Sequence, residues 1–473
     1  MDDLVRIARL LLLHVQLAVP DLFEHLPAFV AANTELTWGS GCSGTDSPSW
    51  GLQAISIALL ALFGMSPRFT HRFSAERDGR KRRFIRRFAR PAYLFCDVFD
   101  LSREKPHDDL SDADVPQSVF ASLWLFIAGF VCKTVSSLNA DKHTRACALM
   151  DLSTVTGSTF YAVILFLRKH KPPATLLENV LGLLLCSQHL DVVVALRQAG
   201  YFTAWFNIDC FILGVPQRRA RLYFLAVRRD LVEAAGMTED AFIALCHRVM
   251  GAMQTPLPSI PLSRFLLANS HPYVRERHAA FLCEALERRS QYRRSELSDV
   301  PRWAYKHRDV HSHLSHSRYT ADLVHVAPEY ETLPDRVKDL LDESSVAFPD
   351  KRPLAISFSQ SATSLTRDCV GVLTPKGRVW LCWLCRCLLG RESLALQCLP
   401  IDWDAEDAAV QEEFTDTFLH DLAGNAFNTA SIVQMVVCIL VVLANLRPAD
   451  TNKRARLARP SVWAPAFADL FEE

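Results

Sequence analysis

The sequence predicts an α/β fold: an open, mostly parallel sheet with crossover helices, joined to a smaller, irregular second region. Three observations predict it. From about residue 35 to 230, short apolar runs of strand length alternate with helical segments, the rhythm of repeated βαβ units. After residue 229 that rhythm stops, and residues 231 to about 350 lack regular alternation. The chain has 473 residues, half of them apolar, enough for two or three domains with a substantial core.

The predicted strands lie at residues 36–39, 68–74, 92–96, 123–128, 174–177, 201–206 and 221–227. Ahead of the first, Leu10 to Leu13 follow Asp2, Asp3, Arg6 and Arg9. That pattern suits an amphipathic surface helix better than a secretory signal. The longest apolar stretch, residues 432–446, contains Gln434 and Asn445 and is shorter than the roughly 20 residues that cross a bilayer, so a soluble protein without a membrane partner is expected. The 52 basic and 52 acidic residues balance, which excludes a uniformly basic nucleic-acid coat but leaves local patches open. Fourteen cysteines, several within apolar runs such as Cys96 and Cys438, read as reduced core thiols of a reducing compartment.

In open sheets of this kind ligands sit beyond the carboxyl ends of the strands, so the polar residues after each run are the ones that matter. After the first strand comes a glycine-rich turn, Ser40, Gly41, Cys42, Ser43 and Gly44, opening onto a helical segment. It lets backbone approach a ligand and suits a dinucleotide or S-adenosylmethionine equally. Glu76 follows the second strand and Asp97 the third, where carboxylates can meet ribose hydroxyls and an adenine amine. Cys132 follows the fourth strand in a polar loop, placed like a nucleophile, with Lys133 beside it to favour the thiolate. Glu178 follows two leucines after the fifth strand, and a carboxyl in apolar surroundings keeps its proton more readily. In the run 214–221, Gln217, Arg219 and Arg221 share a face if the extended chain begins at the glutamine, and Arg218 points the other way. Each of these has a bland alternative as a surface carboxylate, a core thiol or a snorkelling arginine.

Taken in order, Cys132, Glu178-Asn179-Val180, and Gln217, Arg219 and Arg221 resemble the motifs of the cytosine-5 DNA methyltransferases. The glycine-rich turn, Glu76 and Asp97 match that family's cofactor positions. Arg386, Glu392, Leu396-Gln397 and Pro400 resemble its penultimate motif, and Gly424-Asn425-Ala426-Phe427 its last. The resemblance covers about residues 36 to 440. It implies a Rossmann-like, S-adenosyl-L-methionine-dependent catalytic domain at residues 1–232, completed by 412–473, and a target-recognition domain at 233–411. It also implies catalysis by Cys132, Glu178, Arg219 and Arg221, with Asn179 and Gln217 at the substrate and Asn425 and Ala426 closing the cofactor site. Cys132 would add to cytosine C6, Glu178 would serve N3 and Arg221 would bind O2, with the base flipped out of double-stranded DNA. A monomer resident in the nucleus and without a metal is expected.

The sequence departs from the family at the nucleophile loop, where Val131-Cys132-Lys133 stands for the usual Pro-Cys-Gln and loses a constraint on φ. It also has Trp38 before Gly39-Ser40 in place of the usual aromatic register, and Cys398 for a common glycine. A tRNA methyltransferase, a non-catalytic nucleic-acid-binding homologue and a dehydrogenase compete. The absent Cys-Phe-Thr signature disfavours the first, the retained motifs the second, and the motifs beyond the glycine turn the third. Cys369, Cys382, Cys385 and Cys387 suggest packed structure over zinc. Residues 275–308 hold nine Arg/Lys against five Asp/Glu and run into a cluster of His307, His311, His313 and His316, a mixture that suits phosphate contact or a charged surface. The basic clusters 80–87 and 453–459 read as solvated faces or nuclear signals.

Overall fold

The computed structural model describes residues 1–131, 149, 151–185, 187–280, 283, 287, 354–357, 365–375 and 377–446. Its centre is a nine-stranded sheet: β1 (Glu35–Gly41), β2 (Arg68–Ala75), β3 (Tyr93–Phe95), β4 (His107–Asp108), β5 (Ala113–Asp114), β6 (Leu125–Gly129), β7 (Ala174–Asn179), β8 (Tyr201–Asp209) and β9 (Ala220–Arg228). The order is β5-β4-β3-β2-β1-β6-β7-β9-β8. Strands β3, β2, β1, β6 and β7 run parallel, so their carboxyl ends form one rim. Strand order reverses between β1 and β6, which makes their shared rim the crevice where this architecture receives ligands.

All seven predicted strands are present. The parallel rhythm fails at the last one, because β9 pairs antiparallel with both β7 and β8. Its cause is the connection: residues 210–219 leave room for one 3-10 turn, Cys210–Leu213, and no crossover helix. A short link returns the chain antiparallel. The consequence is functional, since β9 begins on the rim where the parallel strands end.

Alternation along the strands gives the sheet two apolar faces. On one, Trp38, Ile127, Leu176, Tyr223 and Leu225 pack beneath α1 (Asp2–Ala18), α4 (Pro48–Phe63) and α10 (Glu239–Ala252). On the other, Phe73, Phe126, Leu177 and Phe224 meet α6 (Val155–His170) and α8 (Gln188–Gln198). Helices α2 (Pro20–Phe23), α3 (Leu26–Ala32), α5 (Gly79–Phe88), α7 (Gly182–Leu185) and α9 (Arg229–Ala234) complete this part. The expected N-terminal helix is α1, which buries Leu4, Ile7, Ala8, Leu11 and Val15 and is thus docked along one face.

The apolar stretch near the C-terminus forms a helix at Thr429–Ala444, capped by Asn428, whose side chain accepts from the Ala430 and Ser431 amides. Every residue of it is buried, and the longer helical run Asp416–Ala444 that contains it is apolar enough to cross a membrane yet lies inside the fold. Before it come Gly390–Leu396 (α11), Ala408–Glu413 (α12) and Asp416–Asn425 (α13), which makes the buried helix α14. A second, four-stranded antiparallel sheet is built from β10 (Leu354–Ser357), β11 (Leu365–Arg367), β12 (Val379–Leu381) and β13 (Arg386–Cys387), in the order β11-β10-β12-β13.

Candidate active site

Register brings the fifth-strand carboxylate to the centre of the rim. Glu178 on β7 lies opposite Gly129 on β6 and Tyr223 on β9. Its Oε1 is 3.3 Å from Arg221 Nε, and the two side chains retain only 15% and 13% exposure. Burial pushes the Glu178 carboxyl above its ordinary value, against the opposing pull of Arg221 and then Arg219. The pair is therefore a carboxyl biased towards its proton with a guanidinium beside it. Gly129 has no side chain because a Cβ there would stand 2.8 Å from the Phe427 ring and 3.4 Å from Glu178 Oε2.

Asn179 is buried and donates from Nδ2 to the Phe130 carbonyl at 2.9 Å, pinning the chain that leaves β6. Described chain continues to Val131, and Cys132 and Lys133 lie outside the described residues. Arg219 is also buried and donates to the carbonyls of Leu373 at 3.4 Å, Gly424 at 3.1 Å and Ala426 at 2.5 Å. Burial, then repulsion from Arg221, lowers its pKa to about 10. One side chain thus joins the start of β9 to the segment 424–426, more than 200 positions later.

The run 214–221 is less extended than the alternation suggested. Strand β9 starts at Ala220, and Gln217 forms an isolated bridge with Val370. Gln217 faces the interior and accepts from Gln397 Nε2 at 3.0 Å. Of the three, Arg221 contacts Glu178 directly, and Arg219 acts on it more weakly through its charge. Arg218 lies outside this group, stacked on the Phe211 ring at 3.6 Å and 3.8 Å from Asp209.

On the other side of the crevice the glycine-rich turn rests on a buried polar network. Ser40 Oγ lies 2.6 Å from Ser43 Oγ and donates to Asp46 Oδ1 at 2.8 Å, and the second Asp46 oxygen meets His71 Nε2 at 3.2 Å and the Ser74 hydroxyl. Gly44 adopts φ +57°, and its amide donates to Glu76 Oε2 at 2.8 Å. At Gly41 a Cβ would stand 2.9 Å from the Phe126 ring, so the turn also needs glycine for packing. Asp97 accepts from the Phe99 amide at 3.1 Å. The Cys42 thiol is pushed up by burial, then by the nearby carboxylates of Glu76 and Asp97, so these three groups converge. The Asn425 carbonyl stands 3.7 Å from where a Gly44 Cβ would be, and Ser47 Oγ donates to the Phe427 carbonyl at 3.2 Å.

Two groups of side chains therefore share one crevice: a protonation-biased carboxyl with two arginines, and a glycine turn flanked by two carboxylates. The family profile of C-5 cytosine-specific DNA methylases matches residues 92–435. The chain belongs to the C-5 cytosine-specific DNA methylases. Among curated relatives, DNA (cytosine-5-)-methyltransferase DMT5 of Cryptococcus neoformans is 26% identical over 469 residues, covering 94% of this chain and 18% of the relative. The protein of the same name from Verticillium dahliae is 24% identical, covering 86% and 19%. This chain thus spans about a fifth of the length of these relatives. The solved structure of the Entamoeba histolytica methyltransferase EhMeth aligns with a TM-score of 0.45 at 11% identity, over 86% of this chain and 98% of that one.

S-adenosyl-L-methionine is the cofactor of this methylase family, and the crevice fits it in kind. Glu76 and Asp97 offer acceptors at adjacent strand ends, and the turn supplies backbone beside them. The penultimate methylase motif is structural: Arg386 and Glu392 form a buried bidentate pair at 2.8 and 2.6 Å, and Glu392 also accepts the Leu267 and Leu389 amides. Among the described residues no three His, Cys, Asp or Glu side chains group as a metal site. The histidines at 307–316, most of the basic stretch 275–308 and the cluster 453–459 lie outside the described residues. The sequence reading missed Asp46, His71 and Ser74. The available signal was an aspartate within the glycine turn, at a position with φ +58° that Asp tolerates better than most residues.

Proposed function

We propose that this chain transfers a methyl group to C5 of a flipped-out cytosine in double-stranded DNA. The observation that supports it most is Glu178, a carboxyl biased towards its protonated form, 3.3 Å from Arg221 and one residue before the asparagine that tethers the nucleophile loop. Cytosine C5 becomes nucleophilic only after addition at C6. The Cys132 thiolate forms the S–C6 bond while Glu178 donates a hydrogen bond or proton to N3, and the C5–C6 π pair moves to C5. Arg221 holds O2. S-adenosyl-L-methionine, when bound, supplies the methyl group to C5. Loss of the C5 proton to solvent then restores the C5–C6 double bond and expels the thiolate, and any proton taken at N3 returns to Glu178.

Asn179 and Arg219 position this machinery, and Gln217 supports the turn that carries it. Ser40, Gly41, Cys42, Ser43 and Gly44, with Glu76, Asp97, Asn425 and Ala426, hold the cofactor. Residues 1–232 with 412–473 form the catalytic part, and 233–411 read the DNA. The chain acts in the nucleus as a monomer, without a membrane. The test is transfer of labelled methyl groups to duplex DNA and to tRNA, followed by digestion to nucleosides. Label in 5-methyl-2′-deoxycytidine is expected. Label confined to tRNA, or none in either polymer, overturns the proposal.

A further inference from the structure

The basic helix α5 keeps Arg80, Arg83, Arg86 and Arg87 exposed, as expected of a solvated face, but its basic side chains also find partners in the fold. Its N-cap Asp78 accepts the Arg80 and Lys81 amides at 2.8 and 3.1 Å. Arg80, Arg83 and Arg87 recur at helical spacing along one side and meet the chain from 406 to 415. Arg80 donates to the Glu413 carbonyl and stacks over Phe418, Arg83 pairs with Glu413, and Arg87 Nε donates to Glu406 at 3.0 Å. Phe84 and Phe88 pack beside them against Trp403 and Phe414. Arg82 and Arg86 are held by Asp109 at 3.2 and 3.3 Å. Most of the positive charge on this helix is thus paired, largely at the surface.

One contact in this set closes a circuit. Lys81 Nζ lies 3.7 Å from Asp421 Oδ2, with the lysine side chain only 15% exposed. The Asp421 carbonyl accepts from Asn425 Nδ2 at 2.9 Å, the Asn425 carbonyl lies over Gly44, and the Gly44 amide is held by Glu76. Glu76 in turn accepts the Asp78 amide at 3.0 Å, which returns the chain of contacts to the start of α5. Gly44, Glu76 and Asn425 are three of the residues assigned above to the cofactor. Lys81–Asp421 is the only ion pair in the circuit that joins them.

We propose that Lys81 and Asp421 are a positioning pair that holds the Asn425 turn over the glycine-rich loop and so sets the affinity of the cofactor site. The proposal rests on the assignment of that crevice to S-adenosyl-L-methionine. Neither residue touches the cofactor; both act through Asn425. Two partners 340 positions apart in sequence make the link conditional on α5 and α13 being docked.

The test is binding of S-adenosylhomocysteine to the full chain by calorimetry, in wild type, Lys81→Asp, Asp421→Lys and the double charge swap. Each single variant should bind about fivefold more weakly, because it converts a half-buried attraction into repulsion, and the swap should recover to within about twofold. Arg87→Glu reverses a charge on the same helix outside the circuit; it should lower the melting temperature and leave affinity unchanged. Singles that bind like wild type, a swap as weak as the singles, or equal weakening by Arg87→Glu would overturn the proposal. Wild type that binds no S-adenosylhomocysteine overturns the cofactor assignment instead. Amide exchange at Asn425–Phe427 then decides the pair: faster exchange in both singles and recovery in the swap retain it, and unchanged exchange rejects it.

Discussion

Replacing Arg219 by methionine keeps most of the apolar stem and deletes the guanidinium that serves three carbonyls. The Leu373 contact, at 3.4 Å, is weak, so the loss concentrates on Gly424 and Ala426. A buried acceptor left without its donor costs roughly 1–3 kcal/mol, so two give about 2–6 kcal/mol. Part of this is offset, because Arg219 is itself strained by burial and by Arg221, which lower its pKa to about 10. A net of about 3 kcal/mol follows, against a typical domain stability of roughly 5–15 kcal/mol. The loss should appear first as local opening of the segment 424–427, with amide protection there falling about a hundredfold by hydrogen exchange. Protection should fall far less in β1 and β6. Unchanged protection at Ala426 and Phe427, in a variant that remains folded, would refute the reasoning that Arg219 fastens the last motif.

Glu178→Gln should abolish methyl transfer and yet stabilise the fold at neutral pH. The folded carboxyl binds its proton more tightly than the unfolded one, so wild-type stability falls as pH rises from roughly 4.3 through the raised folded value. The gap between the two melting temperatures should therefore open above that window and close below it. Gly129→Ala, which places a Cβ 2.8 Å from the Phe427 ring, should destabilise by roughly 1–3 kcal/mol and reduce cofactor affinity, as read by melting and calorimetry. Arg221→Ala should lower the rate of transfer about a hundredfold, whereas Arg218→Ala, which removes an exposed stacking contact, should leave it within about twofold.

Much of this fold was legible because buried strands require apolar runs, and each predicted run became a strand. The direction of β9 was not, since it depends on how many residues separate it from β8 rather than on what they are. The neighbours of Glu178 were readable in part. Apolar residues before it implied a raised proton affinity, but the contact with Phe427 through Gly129 links positions about 300 apart. The pairing of charges was read least well. Arg80, Arg83 and Arg87 do form an exposed face, as the sequence suggests, but their partners Glu406 and Glu413 are more than 300 positions away. Asp46 likewise reads as a loop residue, and only the packing of β1 against β2 shows that Ser74 and His71 reach it.

The account rests on a thiol at position 132 attacking a cytosine held by Glu178 and Arg221. Incubation with S-adenosyl-L-methionine and duplex DNA containing 5-fluorocytosine tests this directly, because fluorine at C5 blocks the last step and leaves the enzyme attached. A denaturation-resistant protein–DNA adduct is predicted for the wild-type chain, with none for Cys132→Ala. Absence of the adduct while the cofactor binds, or its persistence in Cys132→Ala, would contradict the account.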